Sequence, residues 1–259
     1  MRFAILGSGS QGNALVVEAG GTRLLLDCGF SGAETIKRLA RLGLAPDDLD
    51  GILVTHEHDD HIGGVARLAR KYRLPVWATP GTLRGLQALF DDLDVYFVEG
   101  YAPLCIGDIE VTPFPVPHDA REPAQFVFGD GQHRLGVLTD TGDPTLLMLR
   151  VLSGCDGLVL ECNHCPDLLA ASDYPPSLKQ RIAGRNGHLD NASAGALLGR
   201  LDVSRLKHIV AAHLSESNNR PALARAALAG ALGCSEDWIA VADQAAGLDW
   251  RDLRGWLAE

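Results

Sequence analysis

The chain reads as an α/β (α+β) protein of the αββα kind, a four-layer sandwich of two mixed β-sheets flanked by helices. Three observations predict this. The opening third alternates short apolar runs with tight turns, as in RFAIL at 2–6 and the hairpin at Gly20-Gly21. Later, helical patterns fall between apolar strand runs. No long linker, low-complexity tract or short-period repeat interrupts the 259 residues. The length allows one large core or two small ones, and one domain over 1–259 is the economical expectation.

Taken in order, residues 2–6 (RFAIL), 13–19 (NALVVEA) and 22–27 (TRLLLD) are strands, and Gly20-Gly21 turns the last pair. Residues 33–43 (AETIKRLARLG) set Ile36, Leu39, Ala40 and Leu42 at helical spacing and finish on Gly43, suited to ending a helix. Strand 51–55 (GILVT) leads into a histidine cluster, and a helix runs from about Gly64 to Tyr72. Strands follow near 75–78, 95–98, 109–114, 125–129 and 134–139, then a helix at about 144–153 and strand 157–161 (GLVLE). Helices near 176–183 and 191–201, strand 207–212 (KHIVAA) and a helix at 221–231 complete the pattern. A strand-rich half followed by a helix-rich half suits an internally duplicated layout. The C-terminal LDWRDLRGWLAE carries Trp250 and Trp256, expected to cap the core, with a homodimer contact as the alternative.

Composition narrows the class. With 46% hydrophobic and 22% charged residues the chain is ordinary for a soluble protein, and no apolar run approaches the roughly 20 residues that span a bilayer. The apolar stretch in MRFAILGSGS is too short for a secretory signal, so a cytoplasmic location and no membrane partner are expected. The net charge of −10 argues mildly against a basic nucleic-acid platform. Bound cations would offset part of it, and basic clusters remain at Arg67, Arg70, Lys71 and Arg73 and at Lys179, Arg181 and Arg185. The six cysteines are scattered, and the single C-x-x-C at Cys162 and Cys165 lacks the second pair of a structural zinc site, so reduced, incidental thiols are expected. GSGSQG at 7–12 matches a dinucleotide-binding loop, but that mechanism needs a helix to follow, and NALVVEAGGTRLLLD is strand-like. A tight turn that brings Ser8, Ser10 and Asn13 near a site is the better account; a plain β-turn is the alternative.

The chemistry concentrates in VTHEHDDHIGG at 54–64. His56 and His58, two apart at a strand end, can hold one ion, and Asp60 and His61, turning with the loop, a second. A solvated loop accounts for charge but not for three histidines at this spacing. Further ligands should also sit at strand ends. His118 follows IEVTPFPVP, Asp140 follows LGVLT and His213 follows HIVAA. Each alone would be an ordinary turn or cap residue; together they ask for a convergent site.

THEHDDH followed in order by His118, Asp140 and His213 resembles the metallo-β-lactamase-fold hydrolase superfamily over nearly the whole chain. LLLDCG resembles that superfamily's first motif, with Asp27 as the orienting acid. Within it, LGSGSQGN at 6–13, LECNH at 160–164, YPPSLKQRI at 174–182, GHLDN at 187–191 and HLSESNN at 213–219 resemble the YycJ/WalJ group, related to ribonucleases Z and J. Cys165 departs from the acid that group commonly has there, which leaves that acid's role open.

The resemblance implies two divalent ions, Zn²⁺ ahead of Mn²⁺ or Fe²⁺, with His56, His58 and His118 on one, Asp60, His61 and His213 on the other, and Asp140 bridging. It implies phosphodiester hydrolysis by a metal-bridged hydroxide, most simply by a 5′-3′ exonuclease on DNA or RNA. Asp60, Asp140 and His188 are the expected catalytic residues, His188 as general acid or phosphate donor; the alternative for His188 is a neighbour of a helix N-cap. Asp27, Ser10, Asn13, Asn163, His164, Asn218 and Asn219 are expected around the ligands or the substrate. Rival functions are a small-molecule phosphodiesterase, a lactone or thioester hydrolase, and a non-catalytic metal-binding or scaffold protein.

Overall fold

The computed structural model describes residues 1–99 and 101–255. The first sheet contains β1 (Arg2–Gly7), β2 (Ala14–Ala19), β3 (Thr22–Leu26), β4 (Gly51–Leu53), β5 (Val76–Ala78) and β6 (Val95–Phe97). The second contains β7 (Leu104–Ile106), β8 (Ile109–Pro115), β9 (Ala124–Gly129), β10 (Arg134–Leu138), β11 (Gly157–Glu161), β12 (His208–Ala212) and β13 (Ala240–Val241). A last strand, β14 (Leu248–Asp252), returns to the first sheet beside β1. The orders are β14-β1-β2-β3-β4-β5-β6 and β13-β12-β11-β10-β9-β8-β7. Each sheet passes from antiparallel pairs (to β3, to β10) into parallel ones. Both are mixed and share this plan.

Alternation of side chains explains the layers. Leu24 and Leu26 of β3 and Val210 and Ala212 of β12 point into the core between the sheets, with Phe3, Val17, Phe126, Phe128 and Val159. Leu25 points outward with Val16 and Ile52, under Leu39 of helix Gly32–Arg41 and Leu68 of helix Val65–Tyr72. Ile209 and Ala211 face outward with Leu158 and Leu160, under helices Leu146–Leu152, Asn191–Leu198 and Pro221–Leu232. Strands covered on both faces read as unbroken apolar runs, which is why KHIVAA and GLVLE look alike in sequence.

Several expected boundaries move. Strand 51–55 stops at Leu53, the helix at 191–201 stops at Leu198, and the helix at 144–153 spans Leu146–Leu152. Gly43 does end the first helix, at φ +72°, immediately after the capping Leu42. Strand Ala14–Ala19 follows the GSGSQG loop, which removes the dinucleotide-loop reading. β7, β13, β14 and short helices at Pro80–Leu83, Gln87–Phe90 and Pro166–Ala171 were not legible, because two to six residues hold too little periodicity. Trp250, expected to cap the core, lies on β14, packs against the outer layer of the first sheet and donates from Nε1 to Leu42 O (3.3 Å); Trp256 lies outside the described residues. Among the described residues, no helix is long and apolar enough to cross a membrane.

Glu18 ties three strands together. Its carboxylate accepts from Arg2 Nε (2.6 Å) and Nη2 (3.0 Å) across to β1 and from Arg23 Nε (2.6 Å) across to β3. Burial pushes the carboxyl up, but the two guanidiniums outweigh it and hold it below its ordinary 4.5. A depressed folded-state pKa contributes stability that is present above that ordinary value and lost as pH falls through the folded one. Glu18→Gln should therefore cost at most about 1 kcal/mol near pH 7, since both arginines are partly exposed. Urea unfolding at pH 7 and pH 3 checks this: the gap to wild type should shrink at the acid end, and equal stability at pH 7 would remove the tie.

Candidate metal centre

The site lies where strands of both sheets release their chains. Asp27 follows β3, Thr55 and His56 lie just past β4, and His58 caps the short helix Asp59–Ile62 that carries Asp60 and His61. His118 lies beyond β8, Asp140 beyond β10, Glu161 ends β11, and His213 follows β12. Asp27 (φ 59°), Asp140 (φ 51°) and His213 (φ 55°) adopt the left-handed conformation. Side-chain-bearing residues seldom do so, and such strain concentrates at functional sites.

These residues form two adjoining sets. In one, His58 Nδ1 lies 3.0 Å from His56 Nε2 and 3.3 Å from His118 Nε2. In the other, Asp60 Oδ2 is 3.5 Å from both His61 Nε2 and His213 Nε2. Asp140 joins them, forming with His56 of the first set and His61 of the second a further group of possible ligands. Its Oδ2 is 3.1 Å from His61 Nε2, and its Oδ1 is 3.5 Å from His213 Nε2 and 3.4 Å from His188 Nδ1. Seven expected ligands are thus brought together, with Asp140 at the junction. His188 stands beside them, its Nδ1 2.8 Å from Glu161 Oε1 and its ring stacked on His213 at 5.3 Å. It is more than a neighbour of the helix cap, a task that falls to Asp190.

A second set of contacts orients the rings. His61 Nδ1 is 2.8 Å from Asp27 Oδ2, and Asp27 in turn accepts from Thr55 N (2.8 Å) and Thr55 Oγ1 (2.9 Å). His56 Nδ1 meets Thr55 Oγ1 at 2.9 Å, and His118 Nδ1 meets Gly187 O at 3.1 Å. With Nδ1 engaged, each of these rings turns Nε2 inward, the arrangement by which outer partners select a ligating tautomer. Asn13 Nδ2 lies 3.3 Å from Asp60 Oδ2 and 3.2 Å from His61 Nε2, and Asn163 Nδ2 donates to His213 O (3.0 Å).

The charges are strongly coupled. Burial would lower the His61 and His213 rings, but Asp140 and its neighbouring carboxylates outweigh it, raising both, His213 to about 10. Burial would raise Asp60 and Asp140, but the facing imidazoles hold both carboxyls well below the usual range. Burial lowers His56 and His118. Two atoms test whether a cation fits. Asp140 Oδ2 and His213 Nε2 are buried without an aligned hydrogen-bond partner, an unfavourable state for polar atoms unless something coordinates them. Imidazole and carboxylate donors at this density suit a divalent metal ion.

Some expected neighbours are placed differently. Ser10 is exposed; Ser8 makes the contact instead, its Oγ accepting from His213 N (2.9 Å). Asn219 accepts from Asn191 Nδ2 and Arg220 N and donates to Asn191 Oδ1 and Cys162 O, leaving its amide no free group for a substrate. Asn218 is buried with both amide atoms unpartnered, and His164 is buried beside a neighbouring cleft. Burial pushes the Cys162 thiol up, and among the described residues no candidate ligand cluster includes a cysteine. Glu161 was missed as a site residue, although it ends an apolar strand as the recognised ligands do. Asp119, 3.4 Å from His118 Nε2 and paired with Arg181 Nε at 2.5 Å, gave no signal in a loop.

Fold and site define a metal-dependent hydrolase of the metallo-β-lactamase type, and residues 22–209 match the family model of the β-lactamase superfamily domain. Exodeoxyribonuclease YycJ of Bacillus anthracis is 40% identical over 228 residues, 87% of this chain and 86% of its own. Exodeoxyribonuclease WalJ of Streptococcus pneumoniae is 35% identical over 255 residues, 96% of this chain and 92% of its own. The crystal structure of the metallo-β-lactamase-fold protein YhfI from Bacillus subtilis shares the fold, with TM-score 0.75 at 17% identity over 96% of this chain and 98% of that one. The chain belongs to the β-lactamase superfamily and, within it, to the YycJ/WalJ family.

Gly29 shows how tightly the histidine loop is held. A Cβ there would overlap the Asp60 carbonyl, which also accepts from Asn13 N (2.8 Å). Gly29→Ala should push the loop outward and at least halve the divalent metal recovered with the purified, folded protein. Elemental analysis beside circular dichroism reads both, and an unchanged metal content would mean the loop has slack.

Proposed function

We propose that this chain is a divalent-metal-dependent exodeoxyribonuclease that hydrolyses phosphodiester bonds at a centre for two ions, Zn²⁺ ahead of Mn²⁺ or Fe²⁺. The observation that carries the proposal is Asp140, grouped with His56 of one set and with His61 and His213 of the other, with His188 held beside it by Glu161. His56, His58 and His118 would hold one ion and Asp60, His61 and His213 the other, with Asp140 reaching both. When bound there, the ions supply Lewis acidity and an activated water as nucleophile.

His188 has a distinct task. Burial pushes its imidazole down, but Glu161 and Asp140 outweigh that and raise it, favouring the protonated ring. With Nδ1 on Glu161, the other ring nitrogen is left to donate to a phosphate oxygen or to the departing alkoxide. Asp27, buried and fixed by Thr55, keeps His61 in the ligating tautomer. DNA as substrate is supported by the relatives named exodeoxyribonuclease.

Four measurements test this. Purified protein should carry about two divalent ions per chain. Turnover of bis(p-nitrophenyl) phosphate should be lost in Asp140→Ala with the fold retained; undiminished turnover there would sink the assignment. His188→Ala should lower kcat roughly 10²–10³-fold while keeping its metal, and loss of metal would make His188 a ligand instead. Among labelled duplex DNA, single strands, RNA and cyclic nucleotides, DNA ends should be digested fastest. A clear preference for cyclic nucleotides would replace the nuclease with a small-molecule phosphodiesterase.

A further inference from the structure

A solvent-open cleft of about 640 Å³ adjoins His188, lined among others by His164, Leu169, Ala170, Lys179, Ala183 and Asp190. Helices Pro166–Ala171 and Pro176–Ile182 contribute to its walls. Leu169 and Ala170 from the first of these helices and Ala183 at the end of the second give the cleft apolar lining. His164 is 2% exposed, and its Nδ1 is buried without a hydrogen-bond partner. Lys179 Nζ donates to Ala170 O (2.6 Å). The Asp190 carboxylate is occupied at the start of the next helix, by Ala192 N, Ser193 N and Ser193 Oγ.

Apolar lining, one buried polar atom left unpaired and a lysine on the same cleft as the phosphate-handling histidine are what a nucleoside asks of its site. The volume falls within the range of roughly 300–1,000 Å³ typical of small-molecule pockets, too small for a continuing duplex. We propose that this cleft seats the terminal nucleoside of a DNA strand, with its base against Leu169, Ala170 and Ala183 and its polar edge at His164. The phosphate next along the strand would then lie at His188, between cleft and metal centre. The cleft thereby selects a chain end over an internal linkage. This rests on the phosphodiesterase reading of the centre.

The test gives the metal-loaded protein duplexes ending, at either the 5′ or the 3′ terminus, in a normal nucleotide or in a tetrahydrofuran abasic residue. The normal end should be released about tenfold faster, the scale of one seated base. Ala183→Trp, which fills the cleft from an exposed position, should reduce that preference to within twofold. A terminal 2-aminopurine behind a non-hydrolysable phosphonate linkage should change fluorescence on binding, and an internal one should not. Equal release of both kinds of end at both termini by wild type, with bis(p-nitrophenyl) phosphate still hydrolysed, overturns the cleft assignment and leaves the hydrolase standing. A preference that survives in folded Ala183→Trp overturns it too. Failure to hydrolyse any of these substrates removes the hydrolase reading, and the cleft assignment with it.

Discussion

Asp140 is a fully enclosed carboxylate with ring nitrogens of His61, His188 and His213 within 3.5 Å. A charge so buried is sustained only by opposite charge or by groups that coordinate it. The rest of the centre follows from that requirement. His61 leans on Asp27, His188 on Glu161, His118 on the Gly187 carbonyl and His56 on Thr55, which fixes each of these rings. Remove one of these outer partners and a charged or polar atom is stranded in a place without solvent.

The fold meets the requirement by bringing strand ends together. β3 and β4 of one sheet and β10, β11 and β12 of the other release their chains around a single region, and the left-handed turns at Asp27, Asp140 and His213 hold their residues there immediately after the strands. Those turns are costly for residues with side chains, of order 1–2 kcal/mol each. The densely packed core between the sheets supplies the rigidity that keeps them in place, with Phe3, Phe126 and Phe128 buried among the β-strand leucines and valines. The glycine loop, which looked like a nucleotide cradle, serves the same end: Ser8 reaches His213 and Asn13 reaches Asp60 and His61.

Legibility in the sequence tracked how local each signal was. His56, His58, Asp60 and His61 announced themselves because four candidate ligands fall within six residues. His118, Asp140 and His213 were found by one rule, a ligating residue just past an apolar strand. Glu161 obeys the same rule, yet as the last residue of the strand itself it passed for an ordinary strand end. Ser10 and Asn219 were misplaced because a motif gives proximity along the chain and not direction: Ser10 faces solvent while Ser8, two residues earlier, faces inward. β14 went unrecognised because five residues hold too little periodicity, and its place beside β1, from the opposite end of the chain, is set by tertiary pairing.

By itself the sequence determined which side chains could bind a divalent ion, since ligand chemistry belongs to residue type, and the alternation that separates inward from outward faces, since a strand has period two. The superfamily followed from those residues in that order. Tertiary structure alone decided that Glu161 holds His188 beside Asp140 and that a cleft opens between two short helices next to it. Those are relations between segments tens of residues apart. They are set by how two sheets pack and where their strands end, which no local pattern encodes.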